Sequence, residues 1–384
     1  IEFTQIPGYL FPGHQDTGGQ STVRFLEGSS ASGFNLPLID PVKYNTAASP
    51  DTVVTQFLSG THSGSHASKP GILKVPYAAS GHDFAGTVPS GSFQAAAFTD
   101  FQSIGATYAL AHQTTRNRLY AAAYHKRHSG FGPGGPDALY VFDSVTGILL
   151  ATLKLDTLTG MANSTGADVH NFTPVGEHVY DIGSNANQGT VSFDGVGKRA
   201  FGDMEMSADM KTLYVVNLFD RKIYALDVSG DSPAAATLVQ SWSAPDATGA
   251  GRHRPFALAV HEGKLWVGSV DENGSAAYVH SFTPSGTSPA YTLEVTLPLT
   301  YPRQAFIGAA NNPNRLANWR AWVSSPESIV PMTTNAEEIS WPQPMLSDIE
   351  FDGRNMILGL RDRFGDQAGY AKHFSLSSAD RKSV

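Results

Sequence analysis

The residues able to do chemistry lie in short polar loops between apolar runs. His125-Lys126-Arg127-His128 opens a glycine- and proline-rich loop that ends near Pro136. Asn217-Leu218-Phe219-Asp220-Arg221, Arg252-His253-Arg254, Asp271-Glu272-Asn273-Gly274 and Arg361-Asp362-Arg363-Phe364-Gly365-Asp366 are further polar interruptions. Imidazole beside guanidinium suits anion or glycan contacts, and also acid–base or metal work. A second set is acidic: Asp203 and Glu205 flank Met204, and Asp348 and Glu350 flank Ile349. Alternation of period two puts each pair on one side of its strand. Together they are candidate ligands for Ca2+, a hard cation that takes oxygen donors and the one cofactor these residues suggest.

Each set also has an architectural reading. The basic loop can be a solvated face, Asp220-Arg221 and Asp362-Arg363 can stitch neighbouring sheets, and the four acids can line a wet channel. Asp271 to Gly274 is turn chemistry without the rest of a Ca2+ loop. The chain has no His-Glu-x-x-His and no Gly-x-Ser-x-Gly. Gly130 to Gly135 lacks the strand-to-helix setting of a phosphate cradle.

These loops need elements to position them, and the elements repeat. In residues 202–227, Met204–Ser207, Leu213–Val216 and Ile223–Asp227 alternate with turn residues, and Thr237–Trp242 adds a fourth run. Short β-rich runs punctuated this way are strands. A similar series begins at Tyr108 (then Leu119–Tyr124, Leu139–Asp143 and Leu149–Leu155). Another begins at Phe256 (then Lys264–Gly268, Ala277–Phe282 and Tyr291–Leu297). A last copy begins at Ser347, continues at Met356–Leu360 and expects a third strand at Tyr370–Leu376. Residues 163–200 read as a distorted copy, with strands at Phe172, His178–Gly183 and Gly189–Phe193. Val53–Leu58 and Gly71–Val75 are strands around a loop at 60–68, and Ser21–Leu26 is a strand candidate able to close a ring. Asn314–Val323 reads as a helical piece inside an insertion.

Four-stranded units repeated in this order predict an all-β fold, a β-propeller of six or seven blades. A single domain over 1–384 is expected, with irregular N-terminal blades over 1–104, regular blades over 105–298, an insertion over 299–344 and the last blade over 345–384. In such a fold the second-to-third-strand loops and the links between blades open on one face. That face collects His125, Arg127, His128, Asn217, Asp220, Arg221, Arg252, Arg254, Asp362, Arg363 and Asp366 as the candidate ligand-binding set, while Asp203, Glu205, Asp348 and Glu350 face the axis as the candidate metal set.

Composition narrows the function. The 384 residues are 41% hydrophobic and only 16% charged, with 38 Gly, 23 Pro and no Cys. Low charge argues against a disordered or coiled-coil chain. The absence of Cys removes disulfides, thiolate metal sites and Cys nucleophiles, and favours an extracytoplasmic place. A balance of 26 basic to 34 acidic residues, net −8, disfavours nucleic acid as a partner. No apolar run reaches the roughly 18 residues of a transmembrane segment. The first residues are no signal peptide, so any export signal is expected to have been removed or to lie outside this chain.

The runs His125–Pro136, Leu213–Lys222, Arg254–Ala257, Pro344–Phe351 and Asp362–Asp366 resemble a propeller-like region of large bacterial surface proteins that carry SdrD B-like, Cna-B-type repeats. The resemblance covers roughly residues 104–370. It implies a secreted or cell-surface, adhesin-like or matrix protein and supplies no catalytic residue. The first expectation is a non-enzymatic module that binds a glycan, a surface protein or another copy of itself. The second is a metal-dependent hydrolase or lyase using Glu205, Asn217, Asp348 and His125 or His128 around one cation. A third is a structural subunit of an extracellular sheath or fibre, with contacts through 299–344 and the first 100 residues.

Overall fold

The computed structural model describes residues 51–76, 95–175, 178–181, 186–305, 316–325, 328, 341–352 and 355–367, with short pieces at 4–5, 11–12 and 38–39. The strand candidate Ser21–Leu26 and the expected strand Tyr370–Leu376 lie outside these residues.

Sheet A is three-stranded: β1 (Asp51–Thr55), β2 (Pro70–Pro76) and β3 (Ala96–Asp100). A short helix, α1 (Phe101–Ile104), leads from it, with the Asp100 side chain accepting from the Ser103 N–H as its N-cap. Sheet B follows: β4 (Thr107–Gln113), β5 (Arg118–Ala123), β6 (Ala138–Asp143) and β7 (Leu149–Lys154). The short helix α2 (Leu155–Thr159), the hairpin β8 (Phe172–Val175) and β9 (His178–Asp181), and the helix α3 (Ala186–Gly195) come next. Sheet C is β10 (Phe201–Met206), β11 (Thr212–Asn217), β12 (Lys222–Asp227) and β13 (Thr237–Ser243). Sheet D is β14 (His253–His261), β15 (Lys264–Asp271), β16 (Ala276–Phe282) and β17 (Thr292–Pro298). After the pair β18 (Pro302–Ala305) and β19 (Leu316–Asn318), sheet E brings β20 (Pro344–Asp352), β21 (Asn355–Asp362) and the short helix α4 (Arg363–Gln367). Sheets B, C and D are four-stranded, antiparallel and in sequence order, as the repeats predict.

The first strands of these sheets pack on one another: β4 on β10, β10 on β14, and β14 on β20. Every one carries a register shift at the same place, at Thr107/Leu110, Phe201/Met204, Pro255/Ala257 and Leu346/Asp348. A bulge adds a residue, twists the strand and re-aims a side chain. Here the bulged residues include Tyr108, Asp203, Phe256 and Ser347, and they converge. The Tyr108 and Phe256 rings lie edge to face at 5.2 Å, and Tyr108 shares a side-chain hydrogen bond with Ser347. The Asp203 carboxylate accepts the Leu258 N–H at 3.0 Å. Apolar clusters fill the spaces between successive sheets. Leu139, Phe201 and Tyr224 lie in the one between B and C, Leu218, Ile223 and Phe256 in the one between C and D, and Val270, Leu346 and Ile349 in the one between D and E. Sheets with apolar residues on both faces need cover on both, and each uses its neighbours to do so.

Two expectations are corrected. Gly189–Phe193 is not a strand but part of α3. Its alternating Val191 and Phe193 mimic a strand, yet Phe193 is buried while Val191 is 44% exposed. Donors from distant segments satisfy the helix's last carbonyls. Of Asn314–Val323, the described residues from Leu316 on are not helical: they begin as β19 and continue without helix or strand to Val323. Their backbone bonds outward, with Arg320 N–H to Pro342 C=O and Trp322 N–H to Glu272 C=O, both at 2.7 Å.

Candidate functional site

The loop after β5 is not a solvated face. His125, Arg127 and His128 are buried. The His125 ring bonds the Ser192 carbonyl through Nε2 at 2.9 Å and stacks on His170 at 4.4 Å. Burial first, then the neighbouring His170, pushes the His125 imidazole well below its ordinary pKa, so it is neutral. His170 itself bonds Asp168 at 2.7 Å and the Lys126 carbonyl at 2.9 Å. Arg127 lies over the Phe193 ring at 5.4 Å, and its backbone N–H donates to Asp366 C=O. The His128 carbonyl accepts the Gly60 N–H.

α4 supplies the other half of this network. Asp366 is buried and receives Tyr124 Oη at 2.7 Å, Lys126 Nζ at 2.7 Å and Arg361 at 2.8 Å. Burial raises the Asp366 carboxyl, but Lys126 and Arg361 outweigh that and hold it below the ordinary value. Arg363 is fully buried, donating to Val196 C=O at 2.7 Å and Asp194 C=O at 2.8 Å. Gln367 donates to Phe193 C=O at 2.9 Å. With His125 on Ser192, these groups satisfy the carbonyls that a helix C-terminus leaves open. Asp362 accepts the Phe364 N–H at 3.0 Å, an N-cap for α4, and also the Gln343 N–H at 2.9 Å.

Of the remaining loop residues Asp220, Arg221, Arg252 and Arg254 are partly exposed. Asn217 is buried and bonds the Ser164 carbonyl at 2.9 Å. Asp220 accepts from its neighbour Tyr224, and Arg221 reaches the Gly251 carbonyl at 2.6 Å, joining sheet C to the link before sheet D. Arg252 pairs with Asp271 at 3.0 Å, and Arg254 with Glu272.

The four acids do share a region: Asp203 and Glu205 feel Asp348 and Glu350 electrostatically. Asp203 is buried, Glu205 and Asp348 are half-buried and Glu350 is exposed. Burial, then mutual repulsion, raises the Asp203 carboxyl well above its usual value and pushes Glu205 up to about 9. Desolvation also raises Asp348 and Glu350. Among the described residues no three or more His, Asp or Glu side chains are grouped to hold a metal ion, the proposed set of Glu205, Asp348 and His125 or His128 included.

One recess on the loop face has a lining that the sequence pattern only half revealed. It holds about 360 Å3 and is bounded by Asp194, Lys198, Arg199, Phe219 and Arg254, with Val191, Gly195 and Ser324 completing the wall. Arg254 and the Phe219 loop were expected on this face, and Lys198 and Arg199 were not, because Gly189–Phe193 read as a strand of a distorted copy and the residues after it carried no assignment. Gly197, at φ 70°, makes that turn, and a Cβ there would meet Trp322 at 2.9 Å. Lys198 bonds Asp194 at 2.8 Å and lies 3.8 Å from Glu272. Arg199 donates to Ala167 C=O at 3.1 Å and sits over the Phe219 ring at 5.6 Å.

No helix among the described residues is long and apolar enough to cross a membrane. No family model matches the chain. Among solved structures, an auxiliary nutrient binding protein from Bacteroides ovatus aligns with a TM-score of 0.38 and 14% identity over 83% of this chain and 55% of that one. The Cps50 (Swd1) β-propeller domain of Myceliophteria thermophila aligns with a TM-score of 0.30 and 12% identity over 59% and 53%. Scores this low carry no argument, and the fold rests on the sheets described above. Among curated proteins, colossin-A of Dictyostelium discoideum is 27% identical over 80% of this chain, which spans 2% of that protein. Colossin-D and colossin-C of the same organism are 25% and 23% identical over 83% and 93% of this chain, which spans 31% and 34% of them. Over most of its length, then, the chain is similar to parts of the Dictyostelium colossins.

Proposed function

We propose that this chain is a propeller-type binding module that takes its ligand on the loop face and performs no chemistry of its own. Three supports meet here. The sheets repeat in up-and-down order with bulges at matching places, which suits blades set round an axis. The groups that would serve as acid, base or electrophile are occupied as scaffold: His125 caps α3, and Asp366 gathers Tyr124, Lys126 and Arg361. The observation that carries the reading is the cation-lined recess beside them, concave and bordered by an exposed aromatic ring. An extracytoplasmic place belongs to the same reading and draws on the absence of Cys.

The test is a panel of glycans and peptides presented to the purified chain, with binding read as a rise in unfolding temperature and the same mixtures analysed for products. Binding without turnover is expected. Turnover of a panel member, abolished by substitutions on the loop face, would sink the reading.

A further inference from the structure

Resting on the loop face as a binding surface, we propose that the recess bounded by α3, Phe219 and Arg254 is a subsite for a carboxylate-bearing sugar, one hexuronate unit of an acidic glycan. Its volume of about 360 Å3 is near the low end of small-molecule sites, roughly 300–1,000 Å3, a size suited to a sugar unit and its substituents. Lys198, Arg199 and Arg254 line it against the single carboxylate of Asp194. Lys198 and Arg254 are already partnered by Asp194 and Glu272. Arg199 is different. It forms no ion pair with a described carboxylate, and its bond to the Ala167 carbonyl leaves guanidinium donors over for an incoming acid. A planar guanidinium fork matches a carboxylate in a way that an ammonium does not. Burial lowers the pKa of Arg199, Lys198 and Arg254, against the pull of Asp194 and Asp168 on Arg199, of Asp194 on Lys198 and of Glu272 on Arg254.

The remaining walls select a sugar over a bare anion. Phe219 is 48% exposed, and with Val191 it offers an apolar surface to the C–H face of a pyranose. Asp194 and Ser324 supply an acceptor and a hydroxyl for sugar hydroxyls. The same Asp194, with Glu272 behind it, repels a dense polyanion, so a polyol bearing one acid fits better than a polyphosphate.

The experiment titrates the full chain with trigalacturonic acid, its methyl ester and maltotriose by calorimetry. The acid binds, while the ester and the neutral trisaccharide bind at least about tenfold more weakly, the value of one charge-assisted hydrogen bond. Arg199→Ala lowers affinity for the acid by about tenfold or more, and Arg199→Lys restores part of it, both with the wild-type unfolding midpoint. Equal binding of acid and ester, no binding of the acid, or an unchanged affinity in Arg199→Ala overturns the subsite. If the acid fails while another panel member binds on the loop face, the subsite falls and the broader reading stands. If panel ligands bind only at the opposite face, both fall.

Discussion

Asp366 shows how the charged residues of this protein are used. A buried carboxylate is tolerable only when paired and hydrogen-bonded, and here a phenol, an ammonium and a guanidinium do that together. Asp366→Ala leaves Lys126 and Arg361 without their shared anion, and a loss of about 3–5 kcal/mol is expected in urea unfolding at pH 7. The pH dependence has a definite sign. The folded carboxyl is held below its ordinary value, so its contribution is present at neutral pH. That contribution fades as pH falls below about 4, and the gap between wild type and variant narrows there. A gap that stays constant from neutral to acid pH would contradict this. The sequence marked Asp366 by residue type as a ligand-binding candidate, whereas it is buried among Tyr124, Lys126 and Arg361. Its purpose was hidden because the partner Tyr124 is 242 positions away, and Tyr124 itself read as part of a strand.

At the scale of elements, strands were legible and the helix α3 was not. In sheets B, C and D the inner strands are short apolar runs buried on both faces and bounded by turn residues, so composition and punctuation agree. α3 owes its form to donors from elsewhere: His125, Arg363 and Gln367 reach carbonyls near its C-terminus. No local pattern records such a bond. Arg363→Met strands the Asp194 and Val196 carbonyls in a buried setting, at a cost of about 1–3 kcal/mol for each unsatisfied group. Hydrogen exchange is then expected to speed up in α3 while the strands of sheet D keep their protection. Uniform acceleration would show that Arg363 supports the whole molecule rather than this helix. The contact between sheets D and E gives a second test. A Cβ at Gly268 would lie 2.7 Å from Leu346 Cδ2. Gly268→Val therefore overpacks this junction, for about 1–3 kcal/mol, read as a lower unfolding midpoint. An unchanged midpoint would mean that the sheets can separate without cost.

At the scale of the molecule, the bulged first strands and the four acids on them lie together. The sequence showed the acids and their alternation, but a bulge leaves no periodic trace beyond a break in register. Their raised pKa values reflect desolvation and crowding among first strands. Glu205, pushed up to about 9, stays protonated in the folded chain well above the pH at which it ionises in the unfolded one. A raised folded value means that this stabilisation is full below about pH 4.5 and is lost as pH rises towards the folded value. Glu205→Gln removes that loss, so at pH 8 the variant is expected to be more stable than wild type by about 1–3 kcal/mol and at pH 4 equal to it. A variant less stable at pH 8 would place Glu205 in an ion pair instead.

The central claim is that these first strands and their sheets present one functional face. Hydrogen exchange of the full chain with and without the strongest panel ligand tests it most directly. The account predicts added protection at 195–199, around Phe219 and around Arg254. Protection confined to the opposite turns, Ser144–Gly147, Ala208–Lys211 and Glu262–Gly263, would contradict it.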